Sequence, residues 1–381
     1  MTWFFIAILT AYAGFHAHLV WRLAAAFPLL RGKWLVALIL ACLALVGSTI
    51  ASFWFGRASD HPRLAAVLAI ACTTWAAFLW WFLCAGLLGE AWNLLARLAA
   101  LFWPTARAAV IAPKPFLVAT LALTGVAMAW ALVEANCIRL KTVEIEVPHL
   151  AADARPIRIA QLTDTHLGMF MGEGRLERTL ACVREAAPDV IVSTGDFTDS
   201  PARHYPNLIA MLAAIDAPLG KFAVTGNHEF FVGLEAAAEF HAQAGFRLLR
   251  GESVVLDGRL RLCGVDDPAG LRRGVPCYLD EDPVLPPSRD AVPTVFLKHQ
   301  PRINEKALDR FDVQLSGHTH GGQIFPWHFL TRLQYEYYQG LYNLAGDSRL
   351  YVSRGAGTWG PPLRLFAPPE VTLIILKPAQ E

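Results

Sequence analysis

Two textures divide the chain. Apolar residues run almost unbroken in four stretches, roughly Trp3 to Trp21, Trp34 to Phe55, Leu64 to Leu88 and Phe116 to Ala135. Each is long enough to cross a hydrocarbon core of about 30 Å as a helix. Charge or proline bounds them: Arg31 and Lys33 after the first, Arg57 to Arg63 after the second, and Arg97, Arg107 and Lys114 before the fourth. Trp34, Trp54, Trp80, Trp81 and Trp103 fall near the proposed boundaries, where an aromatic belt lies. From about Lys141 the pattern changes to short β-branched runs alternating with helical periodicity, as in an α/β domain. The runs are Ile157 to Leu162, Val190 to Thr194, Phe222 to Thr225, Val254 to Leu256, Arg261 to Val265, Val295 to Lys298, Val313 to Ser316, Leu350 to Ser353 and Val371 to Leu376. Leu176 to Ala187 and Gly233 to Ala244 read as amphipathic helices, and the proline-rich stretch from Asp280 to Pro293 as a surface loop. The pattern predicts an all-α transmembrane region of about four helices over residues 1–141 and an α/β domain over 142–381.

Composition sharpens the division. At 55% hydrophobic and 17% charged, the chain is too apolar for an ordinary soluble protein. Residues 1–141 hold ten Lys or Arg against three acids. The polar half carries no basic stripe with interleaved aromatics, so nucleic acid is not an expected partner; a lipid bilayer is. The first and third loops are the more basic and belong in the cytoplasm. Four spans then make a multi-pass protein of the cell (inner) membrane with an extracytoplasmic C-terminal domain, although Arg139 and Lys141 after the last span argue the other way. His16 and His18 read as interface histidines. Glu134 alone near the membrane edge is too little charge for a translocation path. Seven cysteines show no CxxC spacing; Cys263 and Cys277 either pair or remain free.

The chemistry follows the strands. Asp164 and His166 come after the first run, Gly195 and Asp196 after the second, and Gly226, Asn227 and His228 after the third; His299 and then Gly317, His318, Thr319 and His320 follow later ones. Each of the first four clusters alone also reads as a turn, a helix cap or a loop histidine. All five at strand ends, where α/β sheets bind ligands, predict convergence across more than 150 residues of sequence. Two histidines two apart in extended chain project to one side and suit chelation. Carboxylate, imidazole and amide oxygen together favour Mn, Fe, Zn or Ni. His204, His241 and His328 fall outside every cluster. Arg354, before Gly355 and Gly357, is a candidate phosphate clamp or one half of a surface ion pair.

These five blocks, with the longer phrases SGHTHGGQI over 316–324 and GNHEFF over 226–231, resemble the calcineurin-like metallophosphoesterases. The likeness is to the membrane-associated branch that includes YkuE- and YaeI-like phosphodiesterases and transmembrane metallophosphoesterase-domain proteins. The resemblance covers about Ile157 to Leu376. It implies a four-layer sandwich, two β-sheets flanked by helices, and two divalent metal ions. One would be held by Asp164, His166, Asp196 and His320, and the other by Asp196, Asn227, His299 and His318. Asp196 would bridge, and His228 would protonate the leaving group. Glu229 stands where Asp is frequent, and Asp199 is either a partner of the site or a solvated turn acid. The resemblance implies hydrolysis of a phosphomonoester or phosphodiester, with manganese among the candidate ions and a membrane or cell-envelope lipid among the candidate substrates. The alternative is a membrane sensor or scaffold that binds metal or ligand without turnover.

Overall fold

The computed structural model describes residues 2–58, 62–168 and 170–379. Loop residues 59–61, Asp60 among them, lie outside the described residues, as do the side chains of Trp3, Trp54, Arg57 and Arg63. The chain divides into two units, Met1–Leu132 and Val133–Glu381.

Four helices make up the N-terminal region: α1 (Thr2–Ala26), α2 (Lys33–Ala58), α3 (Pro62–Ala99) and α4 (Pro113–Asn136). Among the described residues, Leu64–Ala99 and Pro113–Asn136 are long and apolar enough to cross a membrane, and Lys33–Thr49 is a shorter apolar stretch. Length and composition therefore support two crossings where the sequence pattern suggested four. The third stretch does not end at Leu88, because no proline or helix-capping glycine interrupts the good helix formers beyond Glu90 until Pro104. Arg97, assigned above to a loop, sits in the last turn of α3. Buried Arg22 on α1, one residue past the first apolar stretch, forms an ion pair with Glu90 on α3. His16 is buried between helices, with its Nδ1 3.0 Å from the Tyr12 carbonyl and the Trp75 indole donating to its Nε2 at 3.0 Å.

The second unit contains two mixed six-stranded sheets. Its strands are β1 (Arg139–Val147), β2 (Ile157–Leu162), β3 (Val190–Ser193), β4 (Lys221–Ala223), β5 (Arg247–Leu248), β6 (Glu252–Leu256), β7 (Leu260–Gly264), β8 (Thr294–Leu297), β9 (Val313–Ser316), β10 (Gly340–Asn343), β11 (Arg349–Val352) and β12 (Glu370–Pro378). Its further helices are α5 (Glu173–Ala186), α6 (Pro206–Ala213), α7 (Asn227–Val232), α8 (Leu234–Gln243) and α9 (Trp327–Gln334). One sheet runs β1-β12-β2-β3-β4-β5 and the other β10-β11-β9-β8-β7-β6. β2, β3 and β4 are mutually parallel, as are β7, β8, β9 and β11. Parallel order brings the ends of these strands to one edge of each sheet.

β1 escaped the sequence reading because it alternates charge with Val143, Ile145 and Val147, the pattern of an edge strand with one buried face. It begins at Arg139, so the 141/142 boundary falls inside a strand. Val192, Val224, Leu262, Leu297 and Leu315 fill the space between the sheets. Leu176 and Val183 of α5, Leu212 of α6 and Phe240 of α8 cover the first sheet's outer face. The second sheet is covered differently: Val284, Leu285 and Phe311 from irregular chain, and Ala307 from a single 3-10 turn, pack on Cys263 and Phe296. Pro283, Pro286, Pro287 and Pro293 deny that segment a helix. The proline-rich stretch is therefore part of a core layer rather than only a surface loop. Cys263 and Cys277 are both free.

Candidate metal centre

Each parallel strand delivers its ligand-type residues at its carboxyl end: Asp164 and His166 after β2, Asp196 after β3, Asn227 and His228 after β4, His299 after β8, and His318 and His320 after β9. The structure brings all eight together. Three overlapping groups, Asp164/His166/His320, His166/Asp196/His228 and Asp196/His299/His318, each place their ligand atoms within 4.8 Å of one another. Asp196 belongs to two of them. Its Oδ2 lies 3.3 Å from His299 Nε2 and 3.9 Å from His166 Nε2. His166 Nε2 faces His320 Nε2 at 3.1 Å, His318 Nδ1 faces His299 Nε2 at 3.0 Å, and Asn227 Oδ1 is 3.2 Å from His299 Nε2.

The backbone is bent to achieve this. Asp164, His166, Asp196, His318 and His320 all have positive φ, between 47° and 73°, a region that side chains other than Gly enter at a cost and that clusters at functional sites. Gly317 is required by contact: a Cβ there would sit 2.0 Å from Asp164 Oδ2. That closeness lets the His318 N–H donate to Asp164 at 2.9 Å.

Outer partners orient the imidazoles. Asp199 Oδ1 accepts from His166 Nδ1 at 2.9 Å and from His228 Nδ1 at 2.7 Å, which turns the Nε2 lone pair of His166 inward. His299 Nδ1 donates to the Thr194 carbonyl at 2.8 Å with the same result. Tyr335 Oη lies 2.7 Å from His318 Nε2 and leaves Nδ1 facing the cluster. Fully buried Arg364 spends Nη2 on the Arg354 and Gly357 carbonyls after β11, both at 2.7 Å, and the same nitrogen lies 3.2 Å from His320 Nδ1 after β9, so it braces both loops. Tyr335 and Arg364 carried no signal in the sequence, because neither adjoins a recognisable block. Arg354 takes the ion-pair role, with a buried partner instead of a surface one: its Nε donates to Glu370 at 2.9 Å and its Nη2 is paired with the same carboxylate.

Electrostatics match the donor set. Burial works against the Asp196 carboxylate, yet His299, His228 and His166 hold its pKa well below the usual range. Burial likewise disfavours the charged form of His228, but Asp196 and Asp199 outweigh it and push the pKa up to about 9. Burial, with His299 adding to it, drives His318 down to about 3, so its imidazole is neutral and ready to ligate. Buried imidazole nitrogens and carboxylates converging in this way fit the binding of divalent metal.

A family model described as calcineurin-like phosphoesterase matches residues 157–322. A protein named uncharacterized metallophosphoesterase from Aquifex aeolicus is 40% identical over 250 residues, 65% of this chain and 95% of the relative. A transmembrane protein with metallophosphoesterase domain from Danio rerio is 31% identical over 366 residues, 90% of this chain and 80% of the relative. The uncharacterized metallophosphoesterase YkuE of Bacillus subtilis is 33% identical over 232 residues, 58% of this chain and 79% of the relative. Three further relatives from Campylobacter jejuni and Helicobacter pylori are matched over only 61–63% of their own length.

Proposed function

The chain belongs to the calcineurin-like metallophosphoesterase family, and from that premise we propose that it is a membrane-tethered, dinuclear-metal-dependent phosphoesterase. The observation that carries the proposal is the position of Asp196 within two overlapping ligand groups. Asp164, His166, Asp196 and His320 would hold one divalent ion, and Asp196, Asn227, His299 and His318 the other. Two such ions, when bound, supply a water nucleophile at neutral pH and neutralise phosphoryl charge.

The protein's own groups do the rest. Asp199 accepts a hydrogen bond from the Nδ1–H of His228 at 2.7 Å, leaving Nε2–H to donate. With Asp196 and Asp199 favouring its cation, His228 delivers a proton to the oxygen that departs as water attacks phosphorus in line. Glu229 fixes Asp196 from behind through backbone hydrogen bonds. The apolar stretches of α3 and α4 anchor the chain in a bilayer, which favours a substrate presented at the membrane. In this reading the apolar stretches of α1 and α2 add two further crossings, and the greater Lys and Arg content of the first and third loops then turns the catalytic domain away from the cytoplasm.

The test uses the full chain in detergent with bis-p-nitrophenyl phosphate and p-nitrophenyl phosphate, with Mn²⁺ or EDTA. Metal-dependent turnover that falls by about 10²–10⁴ in His228→Ala is expected. Absence of turnover of either ester by folded, metal-loaded chain with Mn²⁺, Zn²⁺, Fe²⁺ or Ni²⁺ overturns the reading.

A further inference from the structure

An apolar face borders the metal centre. α9 buries none of its residues; Trp327, Phe329, Leu330 and Leu333 are exposed, Leu333 at 85%. A helix so apolar on its open side needs something other than water there. α9 is nonetheless fixed to the centre. At its C-terminal end Tyr335 bonds His318. At its first turn Gly322, with φ 81°, lies so close to His328 that a Cβ would come within 2.4 Å of His328 Cα.

The face extends to Phe366. The Phe325 ring contacts Phe329 and Phe366, with centroids 6.2 and 5.4 Å apart. Phe366 is 64% exposed and holds a φ of 61°, a strained backbone for a bulky residue. The N–H of the next residue, Ala367, donates to Glu134 Oε1 at 2.7 Å, and Arg175 donates to the Ala135 carbonyl at 2.9 Å. Glu134 and Ala135 form the last turn of α4, the end of the apolar stretch Pro113–Asn136.

We propose that the face formed by α9, Phe325 and Phe366 is a membrane-docking surface, seated in the headgroup and upper acyl region of the bilayer that α4 crosses, so that the metal centre opens onto phosphate esters at a lipid surface. This rests on the reading of α4 as a span. The end of a spanning helix lies at the edge of the hydrocarbon, and the Ala367–Glu134 bond sets Phe366 beside that end. Trp, Phe and Leu next to an exposed Arg332 is the composition of a helix that lies in the interface, with aromatic bodies in the apolar layer and cationic tips toward anionic headgroups.

The experiment places a photoreactive benzoylphenylalanine singly at Leu333, at Val126 on α4 and at Val255 on β6, all exposed positions. Each full chain is reconstituted in nanodiscs of phosphatidylethanolamine and phosphatidylglycerol, illuminated, and mapped for adducts by mass spectrometry. Lipid adducts at 333 and 126, and none at 255, are expected. An adduct at 126 without one at 333 leaves the membrane anchor standing and overturns the docking surface. Loss of both overturns the anchor as well. A protein–protein crosslink at 333 in place of lipid assigns the face to a second copy and overturns the proposal, as does equal lipid labelling at 255.

Discussion

Glu229 accepts the backbone N–H of Asp196 at 2.9 Å, and the same carboxylate takes the N–H groups of Phe197 at 2.8 Å and Gly226 at 2.7 Å. One buried side chain thus clamps the loop after β3 to the loop after β4. Glu reaches where the more usual Asp, one methylene shorter, would not reach all three donors in this geometry. Glu229→Ala leaves three buried donors unpaired at about 1–3 kcal/mol each. The expected outcome is loss of roughly 3 kcal/mol or more of domain stability, read by thermal unfolding of the full chain, together with weakened metal binding.

Asp199 serves two histidines with one oxygen, so Asp199→Asn should disturb metal affinity and proton delivery together. An Asn oxygen can still accept from one imidazole but carries no charge. Metal affinity is expected to fall about 10–100-fold, measured by competition with a chelator, and the alkaline limb of the rate profile should move to lower pH as His228 loses an anionic neighbour. A profile unchanged in position would count against the role.

His299 links metal binding to pH. Burial alone would lower its pKa, but Asp196, Asp164 and Asp267 hold it well above the ordinary value. In metal-free protein its proton therefore stabilises the fold fully below the ordinary histidine range, about pH 6.5, and that contribution is lost as pH rises through the raised value. Ligation needs the neutral ring, so binding expels this proton and affinity climbs with pH, by up to about tenfold per unit for a single proton. His318, already neutral, releases none. Calorimetric Mn²⁺ titrations at pH 7 in buffers of different ionisation enthalpy should report net proton release; zero release contradicts the assignment.

Arg354 and Glu370 form a largely buried ion pair that also receives the Tyr351 hydroxyl at 2.8 Å. Removing one partner strands the other. Arg354→Ala is expected to cost about 3–5 kcal/mol in unfolding experiments while leaving the KM for p-nitrophenyl phosphate unchanged. A raised KM at unchanged stability would restore the phosphate-clamp role.

The ligands were legible in the sequence because strand ends and chelating residue types coincide: β2 and β9 fall at the positions their apolar runs predict, with Asp164 and His318 following. What supports the ligands was not. Tyr335, Arg364 and Glu370 act through loop geometry that no helix or strand periodicity encodes. Edge strands such as β10, with alternate residues exposed, lack the burial that makes periodicity visible, and helices as short as α7 lack the length. The length of α3 was missed because hydropathy falls at Glu90 while helix propensity does not.

The central claim is that Asp196 joins two ions in one centre. Its most direct test is electron paramagnetic resonance of the full chain titrated with Mn²⁺, beside the Asp196→Asn variant. Two ions per chain with an exchange-coupled spectrum, reduced in the variant to isolated Mn²⁺, is the predicted result. A single uncoupled ion in the unaltered chain, or a coupled pair that persists in the variant, would contradict it.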